Sequence, residues 1–232
     1  MFFKVDYSSN SLTLIRKLLR FTSLNKLLVR ILYGKGYEKK VDDALIESIR
    51  KSDIVWDIGA NIGLYTKIFS RLVGISGMVF AFEPHPSTYR ILKDNCSREN
   101  IKAINIALSD CEGDIFFSDK KTHTINSIVD KGFSGKKITV KVNTADNIII
   151  RQIAKIPNVI KIDVEGFELS VIKGMGKVLS SSQLRVIVIE IHHKRMEDMN
   201  IDNGPRKIID ILELNKFLIR WIDPSHILAY RL

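Results

Sequence analysis

The chain has 232 residues, a net charge of +10 and a hydrophobic content of 45%, enough for the core of one large domain with a short appendage. Its two cysteines, Cys96 and Cys111, show no metal-ligand spacing and no disulfide framework, which points to a reducing compartment. No signal peptide is evident and no apolar run reaches membrane-spanning length, so the expected place is the cytoplasm, free or at a membrane surface.

The positive charge is concentrated at one end. Residues 1–40 hold nine Lys or Arg against Asp6 and Glu38. Within residues 11–33, Leu12, Ile15, Leu18, Leu19, Leu27, Ile31 and Leu32 fall near helical spacing, with basic residues between them. Such a stripe usually packs on a core and leaves its basic face solvated. Its other reading is a helix resting on an anionic membrane. We therefore expect a basic helical extension over 1–52, ending in a helix over 41–51, and one domain over 53–232.

Residues 54–58, Ile-Val-Trp-Asp-Ile, read as a buried strand, and 64–73 as an amphipathic helix. The link Gly59-Ala60-Asn61-Ile62-Gly63 is a tight turn whose glycines allow backbone to approach a ligand, and Asn61 tolerates a positive φ. A strand feeding a helix through such a turn makes a crevice at the carboxyl edge of a parallel sheet. A second apolar strand over 78–82 ends in Glu83, 20 residues past Gly63, where a carboxylate can accept hydrogen bonds from both hydroxyls of a ribose.

A helix opening at Pro86 follows, then a third strand over 101–108 ending at Ser109-Asp110. Segments 114–118 and 138–142 read as a hairpin joined by a polar link, a mobile lid over an acceptor or a plain surface loop. Thr144-Ala145-Asp146 opens a helix to about 155. A fourth strand over 158–163, a helix over 167–179, a fifth strand over 186–191 and a helix over 206–214 come next. The chain closes with two strands around Asp223-Pro224-Ser225.

Four motifs in this order carry a resemblance. They are 55–63 (Val-Trp-Asp-Ile-Gly-Ala-Asn-Ile-Gly), 81–86 (Ala-Phe-Glu-Pro-His-Pro), 107–110 (Ala-Leu-Ser-Asp) and 161–168 (Lys-Ile-Asp-Val-Glu-Gly-Phe-Glu). Together they resemble the FkbM-type methyltransferases, which use S-adenosylmethionine. The resemblance implies a Rossmann-like α/β fold: a seven-stranded, mostly parallel sheet with helices on both faces and an antiparallel C-terminal hairpin. It implies a cofactor site of Asp57, Gly59, Asn61, Gly63, Glu83, Pro84, Ser109 and Asp110, with the 109–110 turn beside the adenine. It also implies methyl transfer to a hydroxyl of a sugar, glycolipid or other small molecule.

Side chains two apart on a strand share a face. Asp163 and Glu165 therefore continue one register at the end of the fourth strand, and Glu190 and His192 another at the end of the fifth. Such a cluster suits a general base for an acceptor hydroxyl. It equally suits a divalent cation such as Mg²⁺ that lowers the hydroxyl's pKa. Its bland alternative is a hydrogen-bonded structural pair at a strand end. His193 is expected to face away, and His85, His123 and His226 carry no argument.

An NAD-dependent enzyme would share the turn and the acid, but 59–63 lacks its glycine spacing. A module binding nucleic acid or anionic lipid would explain the basic end but not the acidic cluster, and no basic, aromatic-bearing crevice supports a nucleic-acid partner.

Overall fold

A run as apolar as residues 54–58 needs cover on both faces and a hydrogen-bonded neighbour on both edges. In the computed structural model it has them. The structure describes residues 37–118, 128–129 and 137–232. The basic stripe over 11–33 and the polar link over 122–127 and 131–136, including His123, lie outside the described residues.

Helix α1 (Tyr37–Ser48) leads into β1 (Ile54–Ile58), α2 (Leu64–Val73), β2 (Met78–Phe82), α3 (Pro86–Asn95) and β3 (Ile101–Ile104). The small strands β4 (Ala107–Leu108), β5 (Gly113–Ser118), β6 (Ile128–Val129) and β7 (Lys137–Asn143) follow, then α4 (Ala145–Ile150). The second half is β8 (Val159–Ile162), α5 (Glu168–Lys173), α6 (Gly176–Ser180), β9 (Val186–Glu190), α7 (His193–Asp198), α8 (Gly204–Leu214), β10 (Leu218–Trp221) and β11 (His226–Tyr230).

Seven strands form one sheet in the order β10-β11-β9-β8-β1-β2-β3. The pairs β1–β2, β2–β3, β1–β8 and β8–β9 are parallel, while β11 runs antiparallel to both β9 and β10. This is the expected sheet with its C-terminal hairpin. Strand order reverses at β1, where β2 lies on one side and β8 on the other, and a ligand crevice opens at such a switch point.

The alternation of side chains divides the core. Trp56, Ile58, Phe82, Ile160 and Ile189 face one way, against α5 and α8. Val55, Val79, Val159, Val188 and Leu228 face the other, under Val41 and Leu45 of α1 and Phe69 and Val73 of α2. Burial of each such side chain contributes roughly 1.5–3 kcal/mol. No helix among the described residues is long and apolar enough to cross a membrane.

Three elements depart from the sequence expectation. The third strand is two: β3 stays in the large sheet, while β4 joins β7 in a second, four-stranded sheet. The cause is Asn105, whose side-chain amide donates to the carbonyls of Glu83 and Pro84, both at 2.8 Å, and turns the chain out of the large sheet. The helix after Thr144 stops at Ile150, because Gln152 takes a positive φ of 56° and Ile153 donates back to the Ile148 carbonyl at 3.0 Å. The helix after Phe167 breaks at Gly174, where a Cβ would lie 2.0 Å from the Ser109 carbonyl oxygen.

Arg231 ties the end of the chain to two helix ends. Its guanidinium donates to the carbonyls of Leu179, Ser181 (2.5 Å) and Leu184 (3.2 Å) near the end of α6, and to Asn215 (2.7 Å) after α8. Its plane lies 4.0 Å from the centre of the Phe217 ring. Carbonyls at helix C-termini have no partner within the helix and attract a cation. Arg231→Ala strips several acceptors at once, at a cost of about 3 kcal/mol or more. The expected outcome is a melting temperature lower by about 10 °C, measured by calorimetry. A melting temperature equal to the parent's would show that water satisfies those carbonyls equally well.

Candidate functional site

After β1 the backbone turns sharply. The N–H groups of Gly59 and Ala60 both donate to the Phe82 carbonyl at 3.0 Å. Gly59, Asn61 and Gly63 take positive φ values of 80°, 50° and 88°. A Cβ on Gly59 would sit 1.9 Å from the Asp163 carbonyl oxygen, and one on Gly63 would sit 2.4 Å from the Cys96 sulfur. Within the protein these glycines are thus required by the end of β8 and by α3, a reason the sequence reading did not include.

Glu83 closes β2 and is 7% exposed. Its two oxygens accept the N–H groups of Asn61 (3.0 Å) and His85 (2.9 Å). Burial pushes its pKa up to about 7, with those two N–H groups pulling the other way. The Asn61 side-chain oxygen is buried and has no hydrogen-bond partner.

Gly59, Asn61, Glu83 and Pro84 line one cavity, together with Ile106, Leu108 and Phe117 from the region of the second sheet and Asp163, Glu165 and Phe167 from the end of β8. Four of the eight sequence-predicted cofactor residues therefore meet there. Asp57 lies beneath, 1% exposed, accepting the Thr66 hydroxyl at 2.6 Å, and Gly63 packs on α3. Ser109 and Asp110 follow the lining residue Leu108 without lining the cavity themselves. Their side chains pair with each other at 3.2 Å, exposed.

The four predicted catalytic residues do converge. Glu168, fully buried at the start of α5, accepts the Gly166 N–H at 2.9 Å and pairs with His192 Nδ1 at 2.7 Å. The ring is thereby oriented so that Nε2 stands 3.8 Å from carboxylate oxygens of Asp163, Glu165 and Glu190. Burial alone would lower the His192 pKa. The hydrogen bond and charge of Glu168, with Glu190 and Glu165, outweigh it and raise the pKa to about 9.

Lys161, 7% exposed, closes the inner side of the cluster. Its ammonium lies 3.2 Å from Asp163, 3.8 Å from Asp57 and 5.0 Å from the centre of the Tyr65 ring. Burial disfavours its charge, but Asp163 and Asp57 overcome that and hold its pKa above the usual lysine value. Burial likewise raises Asp163, and Lys161 followed by His192 more than reverses it.

Two contributors escaped the sequence reading. Glu168 stood in the quoted motif without a role. His226, set aside, repeats the arrangement of His192. Its Nδ1 lies 2.9 Å from buried Asp223, and its Nε2 lies 3.6 Å from Glu190. The available signal was the turn Asp223-Pro224-Ser225 just before it, where Asp223 accepts the N–H groups of Ser225 and His226 at 2.7 and 2.8 Å. What the sequence did not show was the register that sets His226 opposite Glu190. His193 turns away as expected, toward the Pro224 carbonyl at 3.0 Å and the Trp221 ring.

A pH dependence of stability follows. His226 is also raised to about 9, its burial outweighed by Asp223 and Glu190. The fold stabilises the protonated form of both rings. That contribution is complete below about pH 6.5, the value for a free imidazole, and is lost as the pH climbs through about 9. Chemical denaturation should show stability falling by a few kcal/mol across this window, less in His226→Gln. Stability that stays flat or rises from pH 6.5 to 9 would contradict the assignment.

Comparison with known proteins bears on the family and the fold. The family model described as Methyltransferase FkbM domain matches residues 57–232. Hexuronic acid methyltransferase AglP of Haloferax volcanii is 34% identical over 162 residues, covering 67% of this chain and 62% of that protein. The chain thus spans less than two thirds of that relative. A candidate rRNA-methylase from Clostridium thermocellum, 13% identical, superimposes over 84% of this chain and 94% of its own at a TM-score of 0.51, a likeness of fold. A methyltransferase FkbM from Methylobacillus flagellatus KT, 17% identical, aligns over 81% of this chain and 49% of its own at a TM-score of 0.49. The glycine turn, Glu83 and the 161–168 motif all fall within the matched residues, and the chain belongs to the FkbM methyltransferase family.

Proposed function

We propose that this protein transfers a methyl group from S-adenosylmethionine to a hydroxyl of a sugar or a glycan-bearing small molecule. One observation carries the reading: Asp163 borders both the cavity of Glu83 and Asn61 and a second, inner cavity with Glu190 and His226. A donor held in the first cavity would therefore lie next to ionisable groups able to receive a proton.

The lining fits such a donor. Each Glu83 oxygen accepts one N–H and keeps capacity for a ribose hydroxyl. The unpartnered Asn61 oxygen is a further acceptor, and Ile106, Leu108 and Phe117 offer apolar surface to a base. S-adenosylmethionine supplies a sulfonium-bound methyl group open to attack by oxygen.

The chain's own part is to place the acceptor hydroxyl and take its proton. A carboxylate of the cluster suits that task at neutral pH, because His192 is then already protonated and serves to hold the carboxylates in place. A divalent cation among the same carboxylates would also lower the hydroxyl's pKa. A uronic acid or a glycan bearing one is the acceptor class to try first, given the activity for which the Haloferax relative is named.

The test has two stages. S-adenosylhomocysteine and NAD are compared for the rise in melting temperature they cause, and labelled S-adenosylmethionine is then incubated with uronic-acid glycans. Stabilisation by S-adenosylhomocysteine and label in the glycan are expected. Stabilisation by NAD in its place, or by neither ligand, would defeat the proposal.

A further inference from the structure

We infer that Asp163, Glu190 and His192 form a binding site for one divalent transition-metal cation, Zn²⁺ or Mn²⁺, beside the methyl-transfer cavity. The inference deepens the methyl-transfer reading and rests on it for the cation's purpose, though not for its binding.

One donor atom from each of the three residues lies within 4.8 Å of the other two. His192 Nε2 stands 3.8 Å from Asp163 Oδ1 and 3.8 Å from Glu190 Oε1. These separations are too long for hydrogen bonds. They are a few tenths of an ångström longer than the roughly 3.4 Å that separates two donors at about 2.1 Å from one tetrahedral cation. Side-chain rotation that also draws Asp163 and Glu190, within 4.8 Å of each other, toward the ring closes the set.

The surroundings are those of a metal-binding imidazole. The other nitrogen of His192 is committed to buried Glu168 at 2.7 Å. A carboxylate in that position aims the other nitrogen, as behind metal-bound histidines, and a cation binding there displaces the proton that Nε2 otherwise carries. Across Glu190 the pattern repeats, with Asp223 holding His226 and His226 Nε2 lying 3.6 Å from Glu190 Oε2.

A second feature is the space beside the donors. A cavity of about 30 Å³ borders the cluster, lined by Tyr65, Lys161, Asp163, Glu190 and His226. It has room for about one water or one acceptor oxygen beside Asp163 and Glu190. Lys161 opposes a cation, but it engages Asp163 through Oδ2 and leaves Oδ1 toward His192. Against it stand the carboxylates of Asp163, Glu165 and Glu190 at the ring and Glu168 behind it. A mixed nitrogen and oxygen donor set without sulfur favours Zn²⁺ or Mn²⁺ over Mg²⁺, which prefers oxygen and water.

The full chain is freed of metal with a chelator and titrated with MnCl₂, followed by the electron paramagnetic resonance of free Mn²⁺, and with ZnCl₂ by calorimetry. One equivalent should bind. Glu190→Gln and His192→Gln should each weaken binding by at least the roughly 10–100-fold that follows loss of a residue merely supporting a ligand, while S-adenosylhomocysteine affinity is retained. His192→Gln leaves Glu168 without its imidazole, so Glu190→Gln, nearly isosteric and at the end of β9, decides the matter if that variant does not fold. Failure of both metals to bind the parent chain, or equal binding by the folded variants, would overturn the inference. Retained S-adenosylhomocysteine binding in that case leaves the methyl-transfer reading standing. Metal binding without any S-adenosylhomocysteine binding overturns that reading and not this one.

Discussion

Glu83→Ala is expected to weaken S-adenosylhomocysteine binding by roughly 10²–10⁴-fold, as two hydrogen bonds to a charged acceptor contribute about 1.5–3 kcal/mol each. The carboxylate is buried and lines the cavity, and its oxygens already hold the N–H groups of Asn61 and His85. Its removal therefore loses the ribose contacts and also loosens the turn that shapes the cavity. Glu83→Gln should lose less, since its remaining carbonyl still accepts. The carboxyl pKa of about 7 adds a second signature. Ligand hydroxyls donate to the ionised form, so affinity should rise between about pH 6 and 8 in the parent and stay level in Glu83→Ala. Isothermal titration of both proteins across this range is the measurement. Parental affinity in Glu83→Ala would remove Glu83 from the site.

The second large effect concerns Glu190. With a uronic-acid glycan as acceptor, Glu190→Ala should turn over roughly 10²–10⁴-fold more slowly and bind S-adenosylhomocysteine almost as the parent does. Glu190 borders the inner cavity and not the cofactor cavity, which is why the two readouts should separate. Its neighbours are less informative. Asp163→Ala would leave Lys161 buried beside Asp57 alone, and His192→Ala would leave Glu168 buried without its imidazole, so both cost stability by stranding a charge. Glu165 is partly exposed and should matter less. Turnover in Glu190→Ala equal to the parent's would mean that the acceptor proton leaves by another route. Where turnover does fall, chelation of the parent separates the two roles of Glu190: activity that survives it marks a base, and activity lost and then restored by added Mn²⁺ marks a ligand.

The fold was legible because its main determinants are local. Strands over 54–58, 78–82 and 186–190 are apolar apart from Asp57 and Glu190, as a parallel sheet covered on both faces requires. The turn over 59–63 declares itself by glycine and asparagine, which accept positive φ. Pairing along the sequence likewise announced the closing hairpin. Boundaries were less legible where a distant contact ends an element. Asn105 draws the chain to the carbonyls of Glu83 and Pro84 and so divides the third strand. The Ser109 carbonyl, lying against Gly174, breaks the helix after Phe167.

The candidate site shows the same division. Strand alternation put Asp163 with Glu165, and Glu190 with His192, in shared registers, and the strand ends placed these four near the crevice. Sequence also supplied Glu83 as the acid after the second strand, since the distance from a glycine turn to the next strand end is set by one intervening helix. Which way each ring points was decided only by tertiary structure. His192 is aimed by Glu168 from the next helix, and His226 reaches Glu190 because β11 pairs antiparallel with β9 in one register. Lys161 finds Asp57 because β8 and β1 set the two side by side. Local spacing can say which residues share a face of one strand. Contacts between strands depend on register and on the charges buried beside them, and those arise only when the sheet assembles.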